Sequence, residues 1–406
     1  MNRRDFARSV RYTAGLALAG RAGLAQKQTV APSATTLPFY DAVPPLAPIR
    51  AHEDQIFRIS VCLRPFRAQG PRLDTEQVGD KVVIHNYGHG GSGWSLSWGS
   101  GAIVVRKAMT AAAGDRNIAV LGCGALGLTS ALLLQRAGVK VTIYAKERAP
   151  EVRSSRATGS WTPDSRVALT NAAPASFAAQ WEEMARNSHA MYQSYLGMPG
   201  NPIEWTDRYF LSDIPIAEAV AKRHEADPIG FAQYQNRISD ITPKGTELPP
   251  GTHPFPTRYA RRNTSMTFNV AAYSRQLMTE FFVEGGKIEV AEFHSPAELV
   301  TLPQKVIVNA TGYGARALWK DDSIVPVRGQ IAWLVPQQDV NYGLTFNNVN
   351  VLARRDGIVV QSNELGEATG WTDENEQPDR GEAERAVQAL AALYGRMSSP
   401  AAVARR

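Results

Sequence analysis

The sequence predicts an α/β protein: a parallel, Rossmann-like sheet of the dinucleotide-binding kind, joined to a second portion on a mixed, largely antiparallel sheet. Three stretches predict it. Ile118–Gly127 reads IAVLGCGALG; the apolar run Leu128–Ala137 and the strand-like Val139–Tyr144 (VKVTIY) follow. Together they make a βαβ unit of the length dinucleotide folds use, and this context raises a bare GxGxxG to a strong signal. Val83–Gly101 reads VIHNYGHGGSGWSLSWGSG, a strand entering a loop with Gly88, Gly90, Gly91 and Gly93 and then a helix from near Trp94. Val351–Gln361 alternates around an Arg-Arg-Asp-Gly turn and reads as a hairpin.

Composition bounds the classes. At 406 residues the chain has room for two domains. Apolar residues are 44% and charged residues 20%, ordinary for a globular protein. The net charge is +6, of which the first 26 residues carry +4, so no nucleic-acid surface is expected. Cys62 and Cys123 are the only cysteines, which excludes a disulfide framework and a zinc spacing. His85 and His89 stand in a glycine loop rather than on a helix face; no metal site is expected, and both rings read as tying down the loop.

In chain order, Asn2–Ser9 (NRRDFARS) carries twin arginines with Phe6 after them, then the apolar run Ala14–Gly20 and a small-x-small site ending at Ala25. This resembles a twin-arginine export leader and points to the periplasm; the protein is cytoplasmic if the leader does not function. No run reaches the roughly 20 apolar residues that span a membrane. Gln26–Pro48 reads as a linker. Gln55–Leu63 reads as a strand and Arg64–Asp74 as a Pro/Gly-punctuated loop. Helices are expected over Ala102–Ala113, Ser176–Leu196, Ala271–Phe282 and Gly381–Gly395, and strands over Lys287–Glu292, Lys305–Gly312 and Gln330–Val335. Pro243–Pro256 reads as exposed.

Both glycine loops feed helix starts, where unpaired N–H groups and the helix dipole favour anions. Two such cradles suggest one long cofactor held at both ends. At the first, Gly122, Gly124, Ala125, Leu126 and Gly127 form the turn. Glu147 stands where an acid would bond the adenosine ribose. Lys146 beside it leaves a 2′-phosphate, and hence NADP, open. Arg153, Ser154, Thr158, Gly159 and Ser160, within Arg153–Trp161 (RSSRATGSW), supply hydroxyls and backbone N–H groups for a pyrophosphate. Thr311 and Gly312 end the strand KVIVNATG.

Taken together, VIHNYGHGGSGWSLSWG, IAVLGCGALG, YAKERAP with ATGSW, VIVNATG and VRGQ resemble the D-amino-acid oxidase family, which includes D-aspartate oxidase. The likeness runs from about Arg58 to Gly395. The motif order does not match the family's, in which the dinucleotide fingerprint comes first. This chain reads as circularly permuted, with the usual termini joined through Ala112–Asn117. The resemblance implies FAD as cofactor. It places Gly90, Gly91, Ser92, Gly93, Trp94 and Ser95 at the flavin pyrimidine edge, and Arg64 as the guanidinium that pairs with the substrate carboxylate. Gly91 would receive the substrate amine. The family's active-site tyrosines fall at Phe346 and Asn350, neither of which supplies a phenol; Asn350 is taken as substrate-binding.

The implied reaction is oxidative deamination of a D-amino acid to a 2-oxo acid, ammonia and hydrogen peroxide, by hydride transfer from Cα to flavin N5. Molecular oxygen is the second substrate, and a homodimer is one assembly the family admits. Alternative readings are an oxidase or dehydrogenase of glycine or another amine, and a flavin-binding protein without catalysis. An NAD(P)-dependent dehydrogenase is a further one, against which the HNYGHGG loop argues. The expected organisation is a leader over 1–26, a linker over 27–50, an FAD-binding portion over 51–164 and 264–320, a substrate portion over 165–263 and 321–398, and a tail over 399–406.

Overall fold

The structure, a computed structural model, describes residues 46–225 and 228–397. The expected leader and tail lie outside the described residues. Fourteen strands occur among the described residues: β1 (Ile56–Arg67), β2 (Thr75–Val78), β3 (Lys81–His85), β4 (Asn117–Leu121), β5 (Lys140–Ala145), β6 (Ile203–Ser212), β7 (Thr246–Leu248), β8 (Tyr259–Phe268), β9 (Lys287–Val290), β10 (Val306–Asn309), β11 (Ile324–Leu334), β12 (Gly343–Phe346), β13 (Val349–Arg354) and β14 (Gly357–Ser362). The helices are α1 (Gly93–Ala112), α2 (Ala125–Arg136), α3 (Phe177–Gln193), α4 (Ile216–Glu225), α5 (Val270–Val283), α6 (Ala315–Leu318) and α7 (Arg380–Gly395).

Six strands form one sheet in the order β2-β3-β10-β4-β5-β9, parallel throughout except that β2 runs against β3. Its central strands are buried on both faces, as their unbroken apolar runs require. In β4, Ile118 and Val120 face the core shared with α1, α2, α3 and α5. Ala119 and Leu121 point the other way, onto Leu299 and Leu302.

Eight strands form the second sheet, in the order β1-β11-β14-β13-β12-β6-β8-β7. Only β12 and β6 run parallel. Pleating sends alternate residues to opposite faces. Leu211, Leu344, Phe346, Val351 and Val360 turn to one face and pack on Ala383, Ala386, Val387, Leu390 and Leu393 of α7. These α7 positions recur at helical spacing. Asp379 caps the helix, accepting from the Glu382 N–H at 3.0 Å. The opposite face carries apolar side chains, Ile331, Trp333, Leu352 and Val359, as well as polar ones, and part of it borders the cavity described below.

Several expectations need correction. β1 continues through Arg67, so Arg64 stands on a strand and not in a loop. Pro65 lacks an N–H, which the sheet tolerates because β1 is an edge strand. That strand pairs along its length with β11, so the start of the segment expected to bind FAD belongs to the eight-stranded sheet. The boundary expected at residue 264 falls inside β8, which pairs continuously with β6. The last residues of the expected linker are packed: Ile49 is buried, and the Tyr342 hydroxyl donates to Ala47 O at 2.8 Å. Leu248 and Phe255 are buried within the stretch read as exposed. β11 begins at Ile324, six residues ahead of the expected start, because Ile324–Val327 is itself apolar and paired.

Candidate active site

A cavity of about 1510 Å³ is lined by both sheets and by both glycine-rich loops. At one end the β4–α2 turn supplies backbone. Gly122 has φ +94°, and a Cβ there would stand 2.6 Å from Ala310 O. A Cβ on Gly127 would stand 1.9 Å from Gly122 O, so helix and strand approach only because both residues are bare. Gly127 therefore shapes the turn without lining the cavity, whereas Gly122, Gly124, Ala125 and Leu126 line it. Ser154 Oγ lies 3.2 Å from the Ala125 N–H, at the start of α2 where an anion is favoured.

Lys146 and Glu147 line the same end. Lys146 is paired with Glu292 at 3.1 Å, while Glu147 has no hydrogen-bond partner among the described residues. Arg153 pairs with Glu376 at 2.5 Å and lies over the Tyr313 ring. Thr158 donates to Gln361 Oε1 at 3.1 Å, and Ser160 Oγ accepts from Arg208 at 2.5 Å. Gly159 has φ +90° and lines the wall beside them. Thr311 donates to Asn309 Oδ1 at 2.7 Å, and Gly312 turns the chain at φ +59°.

The second cradle begins at His89. Gly90 has φ +55°, and a Cβ there would meet Arg166 O at 1.8 Å. The Gly91 N–H donates to Ser165 O at 3.1 Å. Gly90, Gly91, Gly93 and Trp94 line the cavity. Ser92 and Ser95 do not: Ser92 Oγ donates to Ser165 O at 2.9 Å, and Ser95 Oγ accepts from the Thr162 N–H at 2.8 Å, so both fasten the loop. His85 also fastens it, bonded to Glu76 at 3.0 Å and to Asn309 at 3.1 Å. His89 departs from the expected tie. Both its ring nitrogens are buried without a hydrogen-bond partner, and burial pushes its pKa down to about 3.

Across the cavity, Arg64 donates from Nη1 to Arg328 O at 3.0 Å and to Val327 O at 3.4 Å. Its guanidinium lies against Gly329, where a Cβ would stand 2.3 Å from Nη2. No carboxylate is within ion-pair distance of Arg64 among the described residues. Burial, and then the neighbouring Arg166, push its pKa down to about 10, so an anion placed here would relieve an unfavourable charge. Asn350 faces the cavity and accepts from Thr345 Oγ1 at 3.1 Å. Phe346 does not face it: one residue from Thr345, it turns to the α7 side and is buried there.

Sequence reading missed Arg166, Arg208, Arg223 and Arg261, which also line the cavity. Arg166 Nε donates to Glu367 O at 2.6 Å. Burial pushes the Arg208 pKa down to about 10. The period-two pairs Arg208/Phe210 and Arg261/Asn263 were the available signal for two of these.

The residues present fit a long dinucleotide cofactor. Two helix starts, on α1 and α2, border one cavity. Gly93 and Gly312 have no atom within 4 Å of where a Cβ would stand, leaving backbone open to a ligand. The orphaned His89 nitrogens add polar groups in want of a partner.

Comparison with known proteins places the chain. It is 27% identical over 213 residues to a D-amino-acid oxidase of Rubrobacter xylanophilus, covering 52% of this chain and 57% of that one. It is 26% identical over 218 residues to a D-amino-acid oxidase of Dictyostelium discoideum, covering 53% and 56%. The chain thus spans somewhat over half the length of these curated relatives. The crystal structure of iminodiacetate oxidase from Chelativorans sp. BNC1 superposes with a TM-score of 0.48 at 14% identity, covering 69% of this chain and 79% of that one. The family of FAD dependent oxidoreductases (DAO) matches residues 117–405. The first 116 residues lie outside that span, yet β3 pairs in parallel with β10, which is within it. Matched over well over half its length and carrying two glycine cradles on one cavity, the chain belongs to the family of FAD dependent oxidoreductases.

Proposed function

We propose that this chain is an enzyme that oxidises the α-amino group of an amino acid, with D-amino acids as its substrates. The observation that carries the reading is Arg64, a half-buried cation without an acid partner among the described residues, in the same cavity as the two glycine cradles. A planar guanidinium holds a carboxylate through two parallel bonds and so fixes distance and orientation.

The α2 start, Ser154 and Glu147 would hold the diphosphate and ribose of FAD, and Gly90–Trp94 its ring. FAD, when bound, supplies the acceptor for the electrons and hydrogen lost from the substrate Cα and passes the electrons to oxygen. The chain's own residues bind and orient. Arg64 takes the carboxylate, and Arg166 behind it adds positive field. The positive end of α1 favours negative charge developing at that end of the cavity. No carboxylate or imidazole of the chain is needed as a strong base when the amine arrives neutral. Water then hydrolyses the resulting imino acid to a 2-oxo acid and ammonia, and oxygen, having taken up two electrons and two protons, leaves as hydrogen peroxide.

The visible spectrum of purified protein under argon tests the reading. D-Alanine or another D-isomer should bleach a flavin band that L-alanine leaves unchanged. Replacing Arg64 with Gln should lower kcat/KM about a hundredfold, about 3 kcal/mol for a lost charged partner, with flavin retained. A band untouched by any amino acid, or an unaffected Arg64→Gln, would overturn it. One observation favours glycine or another polar amine as a second reading. The sheet face toward the cavity sets the polar side chains of Asn350, Thr345 and Gln361 beside Phe210 and Ile331.

A further inference from the structure

Arg223 and Arg261 both lie against the Phe210 ring, 5.4 Å and 5.9 Å from its centroid, and all three residues line the cavity. Phe210 on β6 is paired with Arg261 on β8, so both point to the cavity face. Arg223 reaches in from α4 and donates to Asn347 O at 3.5 Å. Neither guanidinium has a carboxylate within ion-pair distance among the described residues. Three acids nearby are paired elsewhere, Asp213 with Arg396 at 2.6 Å, Glu218 with Lys222 at 2.9 Å and Glu367 with Arg166 at 4.0 Å, while Glu247, opposite Arg261 across β7 and β8, is not within ion-pair distance of it. Arg261 also buries its Nε without a partner. Two cations that face a cavity, with no carboxylate within ion-pair distance among the described residues, suit an anion brought by the ligand.

We propose that this lobe binds a second, distal carboxylate of the substrate, so that the chain prefers amino acids with a long acidic side chain. The proposal rests on the amino-acid reading above for Arg64 as the first anchor. The sheet sets the span. Arg64 covers Gly329 on β11, and Arg223 reaches Asn347 at the end of β12, three strands away through β14 and β13. At about 4.8 Å per strand, the strand positions beneath the two guanidiniums are about 14 Å apart, and that spacing is taken for the guanidiniums themselves. Each guanidinium–carboxylate contact takes up about 4 Å between carbons, which leaves about 6 Å between the two carboxylate carbons. An extended chain advances about 1.2 Å per bond, so five bonds fit, as in adipate or 2-aminoadipate; the three bonds of aspartate fall short.

The test compares diacids with a monoacid on the holoenzyme, read by thermal stabilisation and by titration calorimetry. Adipate should bind at least tenfold more tightly than hexanoate, and more tightly than succinate. Arg223→Gln combined with Arg261→Gln should bring adipate to within about twofold of hexanoate, while Arg64→Gln weakens both acids. Arg223 is exposed, so Arg223→Gln alone keeps the test open if the double variant fails to fold. A turnover arm sets D-2-aminoadipate against D-2-aminohexanoate, with a tenfold advantage in kcat/KM expected for the diacid. Adipate no tighter than hexanoate, a preference unchanged by the arginine variants, or succinate bound best would overturn the proposal. If no amino acid is turned over but the diacid preference holds and follows Arg223, the lobe stands and the oxidase reading falls.

Discussion

The two sheets border one cavity but contribute to it differently. The six-stranded sheet ends its strands in bare backbone: Gly122 and Gly127 allow approaches that a single Cβ would block. The eight-stranded sheet contributes side chains, among them Thr345, Asn350 and Arg261 from one pleated face and Arg64, which lies over Gly329. Backbone sites are specified by residues close in sequence. Side-chain sites of this kind are specified by register between strands far apart in it. The first is intolerant of added atoms, and the second should exchange one residue for another with graded effects.

That contrast can be broken most sharply at Gly127. Gly127→Val puts atoms where a Cβ alone would lie 1.9 Å from Gly122 O. It should cost on the order of 3 kcal/mol and abolish cofactor retention, as read by thermal unfolding and visible absorbance. Retained absorbance with an unchanged melt would mean the turn has slack the structure does not show.

A paired substitution sharpens the side-chain half. Phe346→Ala should destabilise by about 3 kcal/mol, because its ring packs in the core against α7, while kcat/KM changes less than about twofold. Asn350→Ala should do the reverse, with stability held and substrate discrimination altered. Denaturant midpoints and steady-state rates decide the pair. Equal effects of both on KM would deny that the pleat separates them.

The smallest effect expected is a pH dependence from the backbone side. The His89 pKa lies near 3 in the folded chain, against about 6.5 unfolded. Below pH 6.5 the unfolded chain takes up a proton that the folded chain refuses. Stability is therefore fully present above pH 6.5 and falls as pH drops toward 3, by about 1.4 kcal/mol per unit. Urea unfolding at pH 6.5 and 5 should differ by about 2 kcal/mol, and His89→Asn should remove most of the difference.

Legibility in the sequence follows the same division. GCGALG and HNYGHGG could be read because each is a contiguous turn whose glycines carry the geometry, and the helices α1, α2 and α7 because their apolar spacing is local. Arg64 was legible only through family resemblance, since an arginine beside a proline reads as a surface loop until β1 is seen to pair with β11. Arg208 and Arg261 carried only the weak mark of period-two spacing from Phe210 and Asn263, and Arg223 none. Their common destination depends on β6 lying between β12 and β8, a neighbour relation that no window of sequence contains. Phe346 shows the opposite hazard: it falls where a functional ring was expected, and the pleat turns it to the wrong face.

The threading of the chain has a consequence for how the protein is made. It visits the eight-stranded sheet with β1, the six-stranded sheet with β2–β5, and then crosses back and forth three more times before β14. No single cut in the gene would release either sheet whole. During synthesis β1 waits for β11, with Arg64 and Val327 paired across 263 positions, and β3 waits for β10. A ribosome that stops before residue 324 has already delivered both glycine cradles, but the strand holding Arg64 still lacks its neighbour. Such a chain exposes a long unpaired edge, the kind of species that aggregates or recruits chaperones. Arg64, the proposed carboxylate anchor, is therefore made well before the strand that fixes its own strand in place.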